Sequence, residues 1–493
     1  MKKILTLFAL AAACLCSASA QEFVYQIGKE SKHADPEMIY NGHYLGMHNG
    51  LDCWITQSEK GTNIFVRNRD WQVVHLDSNL VPVGTLELPL TSRAQHLASV
   101  MQGSRTAALL VDSSSDERTL ILKYVVDMDS MRLVGDKFDT VNDFTYSDDD
   151  HCMVWAATSP DGNHIALVSV IEFTKTKKYT ANITMFNSAL EQEWNRQYAL
   201  NSTEQVYVDN TGRIVTLGVE EDGETQHFIF NILDAVESDS YDISIKCDRV
   251  LNMRILNIIG PHVVCAGLFS PVTSDPKEGL IGGVVGMAFN LDSTNVTGFS
   301  MRPFQNEDMN IFMNKKTKKI QREQTQTFIV PVDIAPTAFG GAMAAGKNYT
   351  QNRINNNGTI SSAYRAIGLH IVAVDTNGNI KWVRNIRRND FTDEEKEELN
   401  VSLVPTEDQI FLLKTENRKY PSHYDIAKDA PELEIGDKAN IVLYSISNDG
   451  DVKKTLVEHK TKHHLLAVDT RANGTMLLLT KRGSKTRMAK LTH

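Results

Sequence analysis

IVAVDTNGNIKWVRNI, residues 371–386, holds one complete unit of the fold. Its periodicity is two rather than 3.6, so it reads as strand, turn and strand. Ile371 to Val374 run apolar into Asp375-Thr376-Asn377-Gly378, where Asn and Gly supply the positive φ of a tight hairpin. The returning strand then places Ile380 and Trp382 on one face.

Working outward, the same pattern returns seven times between residues 70 and 460. It reads VVHLDSNLVPVGTLEL from Val73, LKYVVDMDSMRLVGDKF from Leu122, ITMFNSALEQEWNRQYAL from Ile183 and HFIFNILDAVESDSYDI from His227. It continues as VVGMAFNLDSTNVTGF from Val284, the quoted stretch from Ile371, and IVLYSISNDGDVKKTL from Ile441. Most units follow a second hairpin of like chemistry, such as Ser159-Pro160-Asp161-Gly162 before HIALVSV and Asp209-Asn210-Thr211-Gly212 before RIVTLGV. Repeats on this scale mark a stacked array. Two hairpins per repeat make a four-stranded antiparallel meander, the blade of a β-propeller.

Full blades trace at 41–90, 95–140, 152–200, 204–246, 252–303, 325–388 and 400–458. The last stretch, from His464, holds three strands, and Phe23–Ile27 makes one orphan strand. Three plus one closes a ring and leaves no free end blade. The expectation is an all-β, single β-propeller of eight blades closed by an N-terminal strand with C-terminal strands. Seven blades is the alternative.

Residues 1–20 read as a signal peptide: Lys2 and Lys3, the apolar Ile4–Leu15, then Ala18-Ser19-Ala20 before Gln21. Export is therefore expected, to the periplasm, the outer-membrane surface or the medium. A lipid anchor at Cys14 is disfavoured, because Leu10 stands one position too far from it for a lipobox. No later run is long and apolar enough for a transmembrane span. Residues 21–493 then form the propeller.

The chain carries a net charge of −10, and the acidic mature part gives no electrostatic route to nucleic acid. The one basic cluster singled out is Lys315-Lys316-Thr317-Lys318-Lys319 with Arg322, read as a solvated loop. Cys53, Cys152, Cys247 and Cys265 remain after cleavage and lack metal-site spacing. Cys247 and Cys265 flank a single predicted strand, so a disulfide between them is open to an exported protein. Otherwise all four read as small buried hydrophobes.

VDTNGNIKW (Val374–Trp382) resembles the repeat of quinoprotein-like (PQQ-like) propellers, and NSALEQEW (Asn187–Trp194) echoes it more loosely. SPDGNHIAL (Ser159–Leu167) resembles the repeat of TolB-like and WD40-like propellers. Tyr364 to Asn417 also resembles exported bacterial propeller proteins of uncharacterised function. The resemblance implies the fold. It implies no functional residue, since the cofactor-stacking Trp, vicinal Cys pair and catalytic Asp of quinone-dependent dehydrogenases have no counterparts here.

In a propeller, connections between blades share a face with the middle turn of each blade. The three longest insertions, 303–325, 341–366 and 416–439, therefore map to one face of blades 5–7, where binding tends to reside on a rigid scaffold. GKNYTQNRINNNGTI (346–360) is polar and Asn-rich, and Arg418-Lys419-Tyr420-Pro421-Ser422-His423-Tyr424 mixes aromatic platforms with donors. The candidate binding residues are Tyr349, Arg353, Arg418, Tyr420, His423 and Tyr424. Thr392-Asp393-Glu394-Glu395 reads as a capping box opening a short acidic helix.

Catalytic signatures fail on inspection. Gly298-Phe299-Ser300-Met301-Arg302 misses the last glycine of GxSxG, and His463-His464 are adjacent, hence on opposite faces of a strand. Ser147-Asp148-Asp149-Asp150-His151 lacks the alternating ligands of calcium loops. No catalytic residue, metal or cofactor is assigned. The five tryptophans, Trp54, Trp71, Trp155, Trp194 and Trp382, read as core. The expectation is a binding or scaffold protein for a protein or glycan partner. The alternative is a glycan- or peptide-active enzyme with its residues around the central funnel, where blades can pool carboxylates.

Overall fold

In the computed structural model the strands fall into eight antiparallel blades arranged in a ring. The structure describes residues 23–32, 41–63, 66–90, 94–115, 118–135, 138–146, 151–173, 178–200, 205–271, 281–305, 307–308, 311, 329–354, 360–392, 401–420, 423–424, 433–434, 438–471, 474–482 and 485–492. The signal peptide expected at 1–20, Cys14, the basic residues of 315–322, the acidic residues of 147–150 and the helix expected after Thr392 lie outside them.

From the axis outward, blade 1 is Asn41–His48, Leu51–Asn63, Val66–Leu76 and Pro82–Leu88. Blade 2 is Ala94–Gln102, Arg105–Ser115 and Arg118–Asp127, with an outer edge split into Arg132–Leu133 and Asp139–Thr145. Blade 3 is His151–Thr158, His164–Phe173, Lys178–Asn187 and Gln192–Leu200. Blade 4 is Gln205–Val208, Ile214–Asp222, Thr225–Leu233 and Ser238–Lys246. Blade 5 is Arg249–Ile259, His262–Ser270, Gly283–Asn290 and Asn295–Pro303. Blade 6 is Ile329–Thr337, Gly340–Ile354, Ile360–Asp375 and Ile380–Thr392. Blade 7 is Ser402–Pro405, Gln409–Asn417, Ala439–Ser447 and Val452–Thr461.

Blade 8 closes the ring. Its inner strands, His464–Thr470, Met476–Arg482 and Lys485–Thr492, are completed by Val24–Lys32, which pairs antiparallel with the last strand from Val24↔Thr492 to Lys32↔Lys485. Eight blades, not seven, is the observed number.

The core follows this plan. Each middle strand is buried on both faces, which is why it reads as a continuous apolar run. In His164–Phe173, Ala166, Val168 and Val170 pack toward blade 4, while Ile165 and Leu167 pack toward blade 2. Eight buried apolar clusters among the described residues each span one seam between neighbouring blades. The closing seam joins Trp54, Val74 and Leu80 of blade 1 to Leu477, Leu479 and Met488 of blade 8. Trp54, Trp71 and Trp382 are buried as expected, whereas Trp155 and Trp194 are only partly so.

The turns repeat one device. Asp375 Oδ1 accepts the N–H groups of Asn377 and Asn379, both at 2.9 Å, and Asp77, Asn187 and Asp209 do the same in blades 1, 3 and 4. Such a turn also seats against the outer strand of the preceding blade. Ser300 Oγ donates to Gly378 O at 2.7 Å, and Trp382 Nε1 donates to Asn448 O at 3.0 Å.

One expectation needs correction, and the disulfide left open by the sequence is settled. The insertion at 341–366 is not a loop. Its residues extend the second and third strands of blade 6, which stay paired from Gly340↔Asp375 to Ile354↔Ile360. Tyr349, Thr350 and Ile354 suit a strand there, and the ladder carries a bulge at Gly346/Lys347 close to Gly368, which holds φ at 60°. Cys247 and Cys265 are unbridged. The inner strand of blade 5 runs between them, Cys265 is sealed in the seam of blades 4 and 5, and Cys247 is half-exposed.

Candidate functional site

The insertions of blades 5–7 converge on the outer strand of blade 6. From one side, the start of the connection after blade 5 folds onto it. Asp308 is buried and accepts from Asn385 Nδ2 at 2.6 Å, from Arg302 Nη2 at 3.3 Å and from the N–H of Gln305 at 2.8 Å. Asn385 Oδ1 lies 2.7 Å from His370 Nδ1, and the His370 ring stacks on Phe304 with centroids 4.3 Å apart. Burial pushes the His370 imidazole down to about 4.

From the other side comes the blade 7 insertion. Leu433–Glu434 adds to blade 6 in parallel, against Asp390 and Phe391. Tyr424 donates its hydroxyl to the carbonyl of Asn385 at 2.5 Å and packs edge-on to Tyr444. Unpaired groups of an edge strand are thereby covered.

Between blades 6 and 7 lies a buried charged cluster. Glu416 accepts from Lys414 Nζ at 3.2 Å, from Lys454 Nζ and from the Tyr444 hydroxyl. Lys414 also donates to the carbonyl of Arg387 at 3.3 Å, and Arg388 pairs with Asp390 at 2.5 Å. Lys454 Nζ sits 4.3 Å above the Tyr420 ring, a cation–π contact. Burial lowers Lys454, with Glu416 pulling the other way, and burial raises the Tyr444 phenol well above its usual range. Arg387, Arg388, Asp390, Lys414, Glu416 and Tyr420 border a shallow cleft with room for little more than a water molecule. Buried ion pairs gain little stability over apolar packing, but removing one partner is costly. The arrangement is suited to fixing this corner rigidly.

The six predicted residues separate accordingly. Tyr420 is buried and Tyr424 half-buried, so both anchor the insertion from within; Arg418 and His423 are exposed on its outer side. Tyr349 and Arg353 lie in register on the extended hairpin of blade 6, opposite Arg365 and Ser361, and their side chains lie outside the described ones. Sequence reasoning missed Lys414, Glu416 and Lys454. The available signal was a pair of charges, two residues apart, ending the apolar strand QIFLLKTEN.

Perturbed groups also line the inner strands. Burial raises Asp333 to about 6, while its carboxylate accepts from the N–H of Leu403 at 2.7 Å and of Ile334 at 2.9 Å. Burial likewise raises Asp469 to about 6, against a bond from the Tyr44 backbone. His43 and His96 stack with centroids 4.3 Å apart, and burial lowers both. Each pair bridges adjacent blades: 6 to 7, 8 to 1, and 1 to 2. Among the described residues no hydrogen bond brings them together across the axis, and no group of three His, Cys, Asp or Glu could hold a metal ion. No helix of the described residues is long and apolar enough to cross a membrane.

No protein-family model matches the chain, and no curated protein matches its sequence. Solved structures resemble it in fold. The Dos1 propeller aligns with a TM-score of 0.42 and 7% identity over 94% of this chain and 95% of that one. The β-propeller domain of the trilobed protease from Pyrococcus furiosus aligns with a TM-score of 0.35 and 8% identity, over 86% and 98%. Prolyl oligopeptidase B from Galerina marginata aligns with a TM-score of 0.41 and 8% identity over 91% of this chain and 56% of that one. The chain thus spans about half the length of that peptidase. The eight-bladed ring rests on the strand pairing above.

Proposed function

We propose that this chain is an exported β-propeller that binds a protein or glycan partner through the loop-rich face of blades 5–7. The observation that carries the reading is the anchoring of the blade 7 insertion. Tyr424 and Leu433–Glu434 tie it to blade 6, which leaves Arg418 and His423 exposed on a fixed ledge. A ledge held in place loses little conformational entropy when a partner docks. Arg is favoured at such contacts because its fork pairs with carboxylates and amides. Export is read from residues 1–20 alone.

The test is affinity capture from the native envelope with the mature protein, compared with Arg418→Ala/His423→Ala. The expected result is a specific partner or glycan retained by the parent and reduced about 10-fold in the variant, with folding unchanged. Equal recovery by both proteins would remove the ledge from the binding surface.

A further inference from the structure

Residues 459–487, HKTKHHLLAVDTRANGTMLLLTKRGSKTR, carry Lys460, Lys462, Arg471, Lys481, Arg482, Lys485 and Arg487 against a single acid, Asp469. This concentration stands out in a chain of net charge −10, and the sequence reading passed over it because the cations are spread along three strands. Folding collects them. His464 lies opposite Lys481, Arg482 opposite Lys485, and Lys485 opposite Lys32 of the closing strand. All stand at the end of blade 8 that shares the loop-rich face. The connection from blade 7 brings His459, Lys460 and Lys462 to the same end.

Not all of this charge is available. Arg471 is at the far end of the blade, paired with Asp52, and Arg487 is held by Glu458 at 2.6 Å. Arg482 is exposed and Lys485 half-exposed, each with an interaction of its own, whereas His459, Lys460 and Lys462 are exposed at the bend. Among the described residues, neither Lys460 nor Lys462 has a carboxylate partner. Lys460 holds φ at 52°, and Asn440 Oδ1 accepts its N–H at 3.0 Å, so the bend that presents these lysines is fixed. Glu458, at this end, is engaged by Arg487 and Tyr25, and Glu30 stands opposite Arg487 in the strand register.

We propose that the blade 7–8 sector of the loop-rich face binds a polyanionic glycan, a polymer with repeating carboxylate, sulfate or phosphate groups. The surface lacks what other partners need. Residues 459–487 contain no Phe, Tyr or Trp, hence no platform on which nucleobases stack. Among the described residues of blades 7 and 8 the exposed large apolar side chains are Val24, Ile27 and Leu456, none of them within 459–487, so the stretch itself offers no hydrophobic protein anchor or membrane wedge. What it offers is a set of exposed cations, suited to a flexible anionic chain through counterion release. The inference is independent of the ledge formed by Arg418 and His423.

The experiment is equilibrium binding of the mature full-length chain to polygalacturonate at about 50 and about 300 mM NaCl, with neutral dextran, polyglutamate and a single-stranded DNA oligomer as comparisons. Expected are binding to polygalacturonate that weakens about 10-fold at the higher salt, and none to dextran. Lys460→Glu/Lys462→Glu should lower that affinity about 10-fold or more at unchanged Tm, with Lys460→Gln/Lys462→Gln intermediate. Undiminished binding by these variants, equal binding of dextran, or tighter binding of DNA or polyglutamate would overturn the proposal. Arg418→Ala/His423→Ala tests the ledge separately: its loss of envelope capture with polygalacturonate binding retained would show two distinct surfaces.

Discussion

A buried imidazole gives the clearest residue-scale prediction. His370 is fully buried and its folded-state pKa lies near 4, below the usual 6.5. Above 6.5 both folded and unfolded chains are neutral at this position. As pH falls from 6.5 toward 4, the unfolded chain takes up a proton that the folded one refuses, so stability is lost over that window. Asp333 and Asp469, raised to about 6, act with the opposite sign, since stability tied to their protonated form is present at low pH and lost as pH rises through 6. Comparison with His370→Asn cancels their contribution. Between pH 7.5 and pH 5 the parent should lose roughly 2 kcal/mol more than the variant in urea unfolding. Parallel pH profiles would contradict the buried neutral imidazole. None of this was legible beforehand, because His370 sits in an apolar strand like any core residue and its partner Asn385 is fifteen positions away.

Elements were more legible than their extent. The turn signals at Asp375–Gly378 and Ser447–Gly450 fixed the outer hairpins of blades 6 and 7, and the observed blades begin and end within a few residues of the traced ones. The sequence misled at 346–354, where Asn and Gln suggested a loop; pairing with Ile360–Leu369 and a third strand at Asn389–Thr392 overrides the weak propensity of those residues. It was also silent on how a turn docks against its neighbour. Gly298 shows why: a Cβ there would overlap the carbonyl of Asn377 in the turn of blade 6, whereas one on Gly103 would meet open space and strain only its φ of 56°. Gly298→Ala should lower stability by about 1–3 kcal/mol through overpacking, and Gly103→Ala by about 1 kcal/mol through backbone strain. Thermal unfolding of the two variants separates these effects, and an equal or smaller loss at Gly298 would argue against the close approach of blades 5 and 6.

At the scale of the molecule, the repeat sufficed for the ring because both faces of every middle strand need a neighbour to cover them. A row of such blades leaves two bare faces unless its ends meet, and the count of three strands plus one supplied the meeting point. Tyr25 pins that junction by donating to Glu458 of blade 7 at 2.7 Å, and Leu80 of blade 1 fills the space beside Gly28. The charge distribution belongs to this scale as well, since no single strand of blades 7 and 8 announces the basic rim that the ring assembles. The account depends on the junction, and a cross-link tests it most directly. Val24→Cys/Thr492→Cys places thiols on paired residues of the closing strand and the last strand. Under mild oxidation the protein should form one intramolecular disulfide joining the closing strand to the last strand and melt at a higher temperature. Reduced thiols throughout, or cross-links only between molecules, would contradict the closed eight-bladed ring.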